Sequence, residues 1–194
     1  MRVRLAFLLF AFVAPLLGAC ATPPTANFPE LTFRHKTPIR LAVGSVEVVN
    51  EFRMPFAAPN VEHKMPVAPG PAAERWAQDV LQATGGADKL VMVITDASVT
   101  ETPLKIKKGL KGAFTTDQTE RYEGRVAVRL EIRTPDNKRR AVAEAFATRS
   151  ATIAEDATLA DREALWYGLA EKLLNDFDTT VRPQVTAHLG EFLR

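Results

Sequence analysis

Two hydrophobic periods alternate along this chain, and the switches between them mark out its elements. The clearest stretch is Tyr122 to Ile132, where Tyr122, Gly124, Val126, Val128, Leu130 and Ile132 share one parity and Glu123, Arg125, Arg129, Glu131 and Arg133 the other. A period of two sends these sets to opposite sides of a sheet, one packed and one wet, so helices are expected on a single side. Leu90 to Val99 is an apolar run passing into alternation, as in a strand buried at its start. Pro38 to Met54 carries Ile39, Leu41, Val43, Val46, Val48, Val49 and Phe52, which predicts a strand or a pair of short strands, bulged where alternation breaks at Gly44-Ser45. Pro135-Asp136-Asn137-Lys138 supplies turn formers, so a strand from about Arg140 to Thr152 returns antiparallel. Its small parity of Ala141, Ala143, Ala145 and Ala147 leaves room for a close helix.

The helical period appears twice. Ala73, Trp76, Ala77, Val80 and Leu81 predict a helix from Pro71 to Thr84, opened by a proline and ended by Gly85-Gly86, with Trp76 as a core anchor. Thr158 is the expected N-cap of a second helix, with Asp161 and Glu163 in its first turn. Its stripe is Leu165, Trp166, Leu169, Leu173, Phe177 and Val181; Pro183 predicts a kink or break before Val185, Leu189 and Phe192. The order is β-α-β-β-β-α.

The start of the chain follows neither period. Arg2 and Arg4 precede an apolar run from Leu5 to Leu17 that ends in Leu17-Gly18-Ala19-Cys20. A basic start, a run too short to span a bilayer and small residues before a cysteine are features of an export signal. This segment resembles the lipobox of bacterial lipoproteins, in which the cysteine is lipid-modified after cleavage. The resemblance implies a signal peptide over 1–19, a lipidated Cys20 with a proline-containing tether over 20–36, and a periplasmic domain over 37–194. Ala21 stands where an aspartate signals inner-membrane retention in the best-known sorting rule, so the implied address is the periplasmic face of the outer membrane.

Without residues 1–19 the chain has 175 residues, enough for one domain with one core. Removal of Arg2 and Arg4 leaves 23 basic against 23 acidic side chains, so the overall net charge of +2 does not argue for nucleic acid as a partner. Cys20 is the only cysteine, so no internal disulfide forms.

The strand and helix order behind a lipobox resembles the small α/β sandwich lipoproteins of Gram-negative envelopes, the LptE-like assembly lipoproteins and the PqiC-like auxiliary lipoproteins of lipid-transporting ABC systems. In those families a four-stranded sheet carries two helices on one face and the function is binding. The expected fold is therefore α+β: a two-layer sandwich with a mainly antiparallel four-stranded sheet and two helices on one face. The implied function is a non-catalytic binding or assembly component of an envelope lipid or lipopolysaccharide transport machine.

Catalytic signatures are missing from the sequence: it has no Gly-x-Ser-x-Gly, no His-Glu-x-x-His, no phosphate loop and no Cys-x-x-Cys. His35, His63 and His188 are far apart, so neither a metal nor a cofactor is expected. The segment with the most suggestive chemistry is Leu104 to Phe114, where Lys105, Lys107, Lys108 and Lys111 interleave with Leu104, Ile106, Leu110 and Phe114. That pattern suits contact with anionic lipid or an envelope protein partner; the plainer alternative is a solvated hairpin loop. The charged parity of the Tyr122 strand is a second candidate partner surface. A structural scaffold without lipid contact and a periplasmic enzyme are the competing classes.

Overall fold

The computed structural model describes residues 27–104 and 118–194. Two short strands, β1 (Ile39–Leu41) and β2 (Ser45–Asn50), lead through a long loop to helix α1 (Pro69–Val80), which passes directly into β3 (Leu81–Ala83). Next come β4 (Lys89–Asp96), β5 (Val99–Pro103), the long hairpin of β6 (Gln118–Arg133) and β7 (Arg139–Ala154), and helix α2 (Leu159–Leu189).

β7 pairs along nearly the whole of one edge of β6, while β4 and β5 share its other edge. β4 lies opposite Ala127–Arg133 and β5 opposite Glu120–Gly124, so the two act as one strand broken at Ala97-Ser98. The sheet therefore has four columns, β2, β4 with β5, β6 and β7. It is mixed: α1 crosses over between β2 and β4, which run parallel, and the other pairings are antiparallel. The expectation of a mainly antiparallel four-stranded sheet holds with that one parallel pair added.

Both helices pack on the same face. Inward residues Leu90, Met92, Ile94, Tyr122, Val126, Leu130 and Ile132 form one core with Trp76, Val80, Leu169, Leu173 and Phe177. Gly124 stands under α2, where a Cβ would lie 3.0 Å from Leu173 Cδ2. The alanine parity of β7 is buried at Ala143, Ala145 and Ala147, which admits the helix as expected.

Five details differ from the sequence pattern. In place of a bulge, the break at Gly44 is where the chain leaves the β1–β3 pair for the main sheet; a Cβ there would meet the Gly86 carbonyl oxygen at 2.6 Å. α1 starts at Pro69 rather than Pro71, and ends at Val80 rather than Thr84 because Leu81–Ala83 pair in parallel with Ile39–Leu41. Pro183 does not end α2, which continues to Leu189; Pro183 is exposed, so water can take up the carbonyl its ring leaves without an amide. Finally, much of the expected tether belongs to the domain. Phe28 stacks on Tyr167, Leu31 and Phe33 are buried, and the Phe33 amide donates to Asp79 Oδ2 at 2.8 Å. Prolines mark Ala21–Lys36 as irregular backbone, but Leu31 and Phe33 are apolar enough to be drawn into the core.

Candidate functional site

The wet parity of β6 shapes the helix-free side of the sheet. Along one row Glu47, Val91, Glu131 and Val142 stand side by side, and along the next Val49, Val93, Arg129 and Glu144. Glu131 is fully buried there, enclosed by the guanidinium groups that converge on it. Its Oε1 accepts from Arg129 Nε at 2.5 Å and lies 3.0 Å from Arg139 Nη2; its Oε2 accepts from Arg133 Nε at 2.6 Å. Burial pushes the Glu131 carboxyl up, but the hydrogen bonds from Arg129 and Arg133 outweigh it and hold the group below the ordinary glutamate value. One carboxylate thus fixes three guanidinium groups at an exposed surface.

Beside this cluster lies an open groove of about 1180 Å³. It runs from Thr95, Arg125 and Arg129 across Glu144, Phe146 and Thr148 to Asp176, Thr180 and Gln184 on α2. Phe146 is 58% exposed, and the Arg125 guanidinium sits 4.7 Å from its ring centre, held by Asp96 at 3.2 Å. Thr180 donates its hydroxyl to the Phe146 carbonyl at 3.2 Å, tying the outer edge of β7 to α2. An exposed ring ringed by guanidinium, carboxylate and hydroxyl groups is suited to recognition of a partner with both apolar and polar groups. Sequence reasoning marked Arg125, Arg129 and Arg133 but missed Phe146; the signal was an aromatic on the wet parity of β7, opposite the alanines.

At the other end of β6, Glu120, Tyr122 and Arg162 form a tight group joining the sheet to the first turns of α2. The Tyr122 hydroxyl donates to Glu120 at 2.6 Å, and burial, followed by that carboxylate, pushes the phenol far above its ordinary range. The Arg162 hydrogen bond holds Glu120 below the usual carboxylate range. This is a satisfied structural cluster rather than a poised acid and base. Among the described residues no three His, Cys, Asp or Glu side chains gather as metal ligands, and no helix is long and apolar enough to cross a membrane.

Trp76 is the core anchor the helical period implied, edge-on to Phe177 at 5.0 Å. The other sequence candidates, Cys20 and the segment with Lys105, Lys107, Lys108, Lys111 and Phe114, lie outside the described residues. The flanks of that segment are joined: the Leu104 amide donates to the Thr119 carbonyl at 2.7 Å.

Fold and surface together define the class: an α+β two-layer sandwich with one charged face that is free of helix among the described residues. No protein-family model and no curated protein matches the sequence. Among solved structures the chain is similar to a minor lipoprotein from Acinetobacter baumannii, with 15% identity over 76% of this chain and 93% of that one, at a TM-score of 0.38. It is also similar to rare lipoprotein B from Shewanella oneidensis (10% identity, 74% and 96% covered, TM-score 0.35) and to the PelC dodecamer protein from Paraburkholderia phytofirmans (20% identity, 76% and 95% covered, TM-score 0.22). Likeness at this level transfers no residue and no activity.

Proposed function

We propose that this protein is an envelope lipoprotein, acylated at Cys20 and held at the periplasmic face of the outer membrane, whose sandwich domain is a non-catalytic binding or assembly component of a lipid or lipopolysaccharide transport machine. The observation that carries the binding role is the groove around Phe146, an exposed aromatic set among Arg125, Arg129 and Glu144 on the sheet face opposite the two described helices, open toward the flank of α2. Sequence supports the anchor, through Arg2, Arg4, the Leu5–Leu17 run and Leu-Gly-Ala-Cys. Lys105, Lys107, Lys108 and Lys111 with Phe114 are the proposed contact to anionic lipid.

The test is site-specific photocrosslinking in the native host, with the reactive group at Thr148 in the groove or at Lys138 in the remote β6–β7 turn. A defined envelope protein or lipid adduct from Thr148 and not from Lys138 is the expected result. Equal yields from both positions, or none from either, would overturn the binding role. Replacing the four lysines with glutamate should weaken binding to anionic vesicles; unchanged binding would remove the lipid-contact assignment.

A further inference from the structure

The docking of Phe28, Leu31 and Phe33 changes the geometry of the anchor. If Cys20 is the acylated residue, only seven peptide steps separate it from Asn27, the first described residue. Even fully extended, they reach about 25 Å. Helix α2, with 31 residues, is about 46 Å long. The chain enters at the end of α2 that carries Tyr167, against which Phe28 is stacked with ring centres 5.1 Å apart. The anchor therefore delivers that end of the domain to the bilayer first.

Exposed apolar side chains gather at the same end. Three large hydrophobic residues stand out into solvent among the described residues: Phe146 in the groove, and Phe56 (70% exposed) and Leu159 (68% exposed) elsewhere. Leu159 is the first residue of α2. Phe56 sits on the loop after β2, whose return is fastened to β5: Asn60 bridges to Thr100, and the Glu101 amide donates to the Pro59 carbonyl at 2.8 Å. Thr100 lies opposite Glu123, in the half of β6 nearest α2's start. Phe56 itself has φ of 54°, an uncommon conformation for a bulky residue, and it projects outward over His63 with ring centres 5.7 Å apart. Pro55, Ala57, Ala58 and Pro59 beside it are exposed, as are Arg53 and Lys64. Lys64 also borders a shallow depression of about 460 Å³ shared with Phe28, Pro29, Pro66 and Glu163, which links the Phe56 loop to the point of chain entry.

We infer that the domain rests on the phospholipid surface by this end, with Phe56 inserted at the headgroup level between Arg53 and Lys64. The inference rests on the proposed acylation of Cys20 and deepens it, since it assigns the lipidated protein one orientation. An aromatic flanked by cations matches a surface with an apolar interior and phosphate headgroups. Glu155, Asp156 and Asp161 flank Leu159, so the apolar insertion centres on Phe56 rather than on the helix start. The opposite end, with Asp136, Lys138 and Arg139, carries no large exposed hydrophobic side chain, and Arg133 lies about 33 Å along β6 from Glu123, the level at which the Phe56 loop is fastened. In this orientation the groove around Phe146 stays clear of the bilayer.

Because Cys20 is the only natural cysteine and acylation consumes its thiol, single introduced cysteines can carry an environment-sensitive dye on the full lipidated chain. The dye is placed by Ala57→Cys, beside an intact Phe56, or by Lys138→Cys at the remote turn, and the protein is reconstituted in phosphatidylethanolamine and phosphatidylglycerol vesicles. Blue-shifted emission quenched by a headgroup-level lipid quencher is expected from position 57 and not from position 138. Adding Phe56→Ser should lower the equilibrium constant for insertion, read from quenching at position 57, about tenfold. Equal quenching at both positions, or none at 57 while mass spectrometry confirms acylated Cys20, would overturn the orientation alone. An unmodified Cys20 in the same spectrum would overturn the anchor and, with it, this inference.

Discussion

Trp76 on α1 donates its indole N–H to Asp178 Oδ1 on α2 at 3.0 Å, inside the core. The same carboxylate receives Arg182 at 2.8 and 3.0 Å, and Arg182 also donates to the Thr37 carbonyl at 2.8 Å, so one buried acid ties both helices to the incoming chain. Removing it strands an indole N–H and a guanidinium. Asp178→Ala should cost about 2–4 kcal/mol, less than a fully buried pair because Arg182 keeps some water. Asp178→Asn keeps an oxygen for Trp76 and should cost clearly less. Urea unfolding followed by tryptophan fluorescence measures both; equal losses would mean the indole bond contributes nothing.

Acid should act on the helix-free face through Glu131. Its carboxyl is held below its ordinary value of 4.5, so between the two values the unfolded chain binds the extra proton. The stability this group contributes is complete above the ordinary value and is lost as pH falls through the depressed one. Glu131→Gln should lower stability near neutral pH by about 1–3 kcal/mol and flatten the decline on acidification below about pH 4.5. A variant curve parallel to that of the natural chain would disprove the role of the arginine cluster.

The hairpin and both helices were legible in the sequence because their periods run long. Sixteen-residue strands and a 31-residue helix repeat their pattern often enough to outvote single exceptions such as Pro183. β1 and β2 match the expected pair of short strands, but β3, three residues directly after α1, was hidden: its partner is distant and parallel, and no local pattern records a pairing of Ile39 with Leu81. The burial of Glu131 was equally invisible: the alternation puts a glutamate in water, and only the convergence of Arg129, Arg133 and Arg139 encloses it. Phe146 was legible in principle, since the alanine parity of β7 already fixed which residues face outward.

Where β1 gives way to β2, the backbone passes closer than side chains allow. A Cβ on Gly86 would lie 2.8 Å from the Ala42 carbonyl oxygen, and its φ of 138° already disfavours other residues. Gly44→Ala and Gly86→Ala should each cost about 2 kcal/mol or more, because backbone rather than a movable side chain must yield. Gly190→Ala, where nothing lies near, should change little. Thermal unfolding of the three variants would show it; a tolerant Gly86 would mean that the β1–β3 pair separates freely from the main sheet.

Phe146 and Phe177 lie on opposite sides of β7 and separate binding from folding. Phe177 is fully buried against Trp76, so Phe177→Ala should cost about 3–5 kcal/mol. Phe146 is mostly in water and packs on Arg125, a cation–π contact of about 0.5–1 kcal/mol at an exposed site. Phe146→Ala should therefore leave unfolding nearly unchanged while lowering the yield of the Thr148 crosslink severalfold. An aromatic kept at an exposed position without a partner would show the reverse: a stability loss comparable to that of the core variant, and a crosslink yield that does not move.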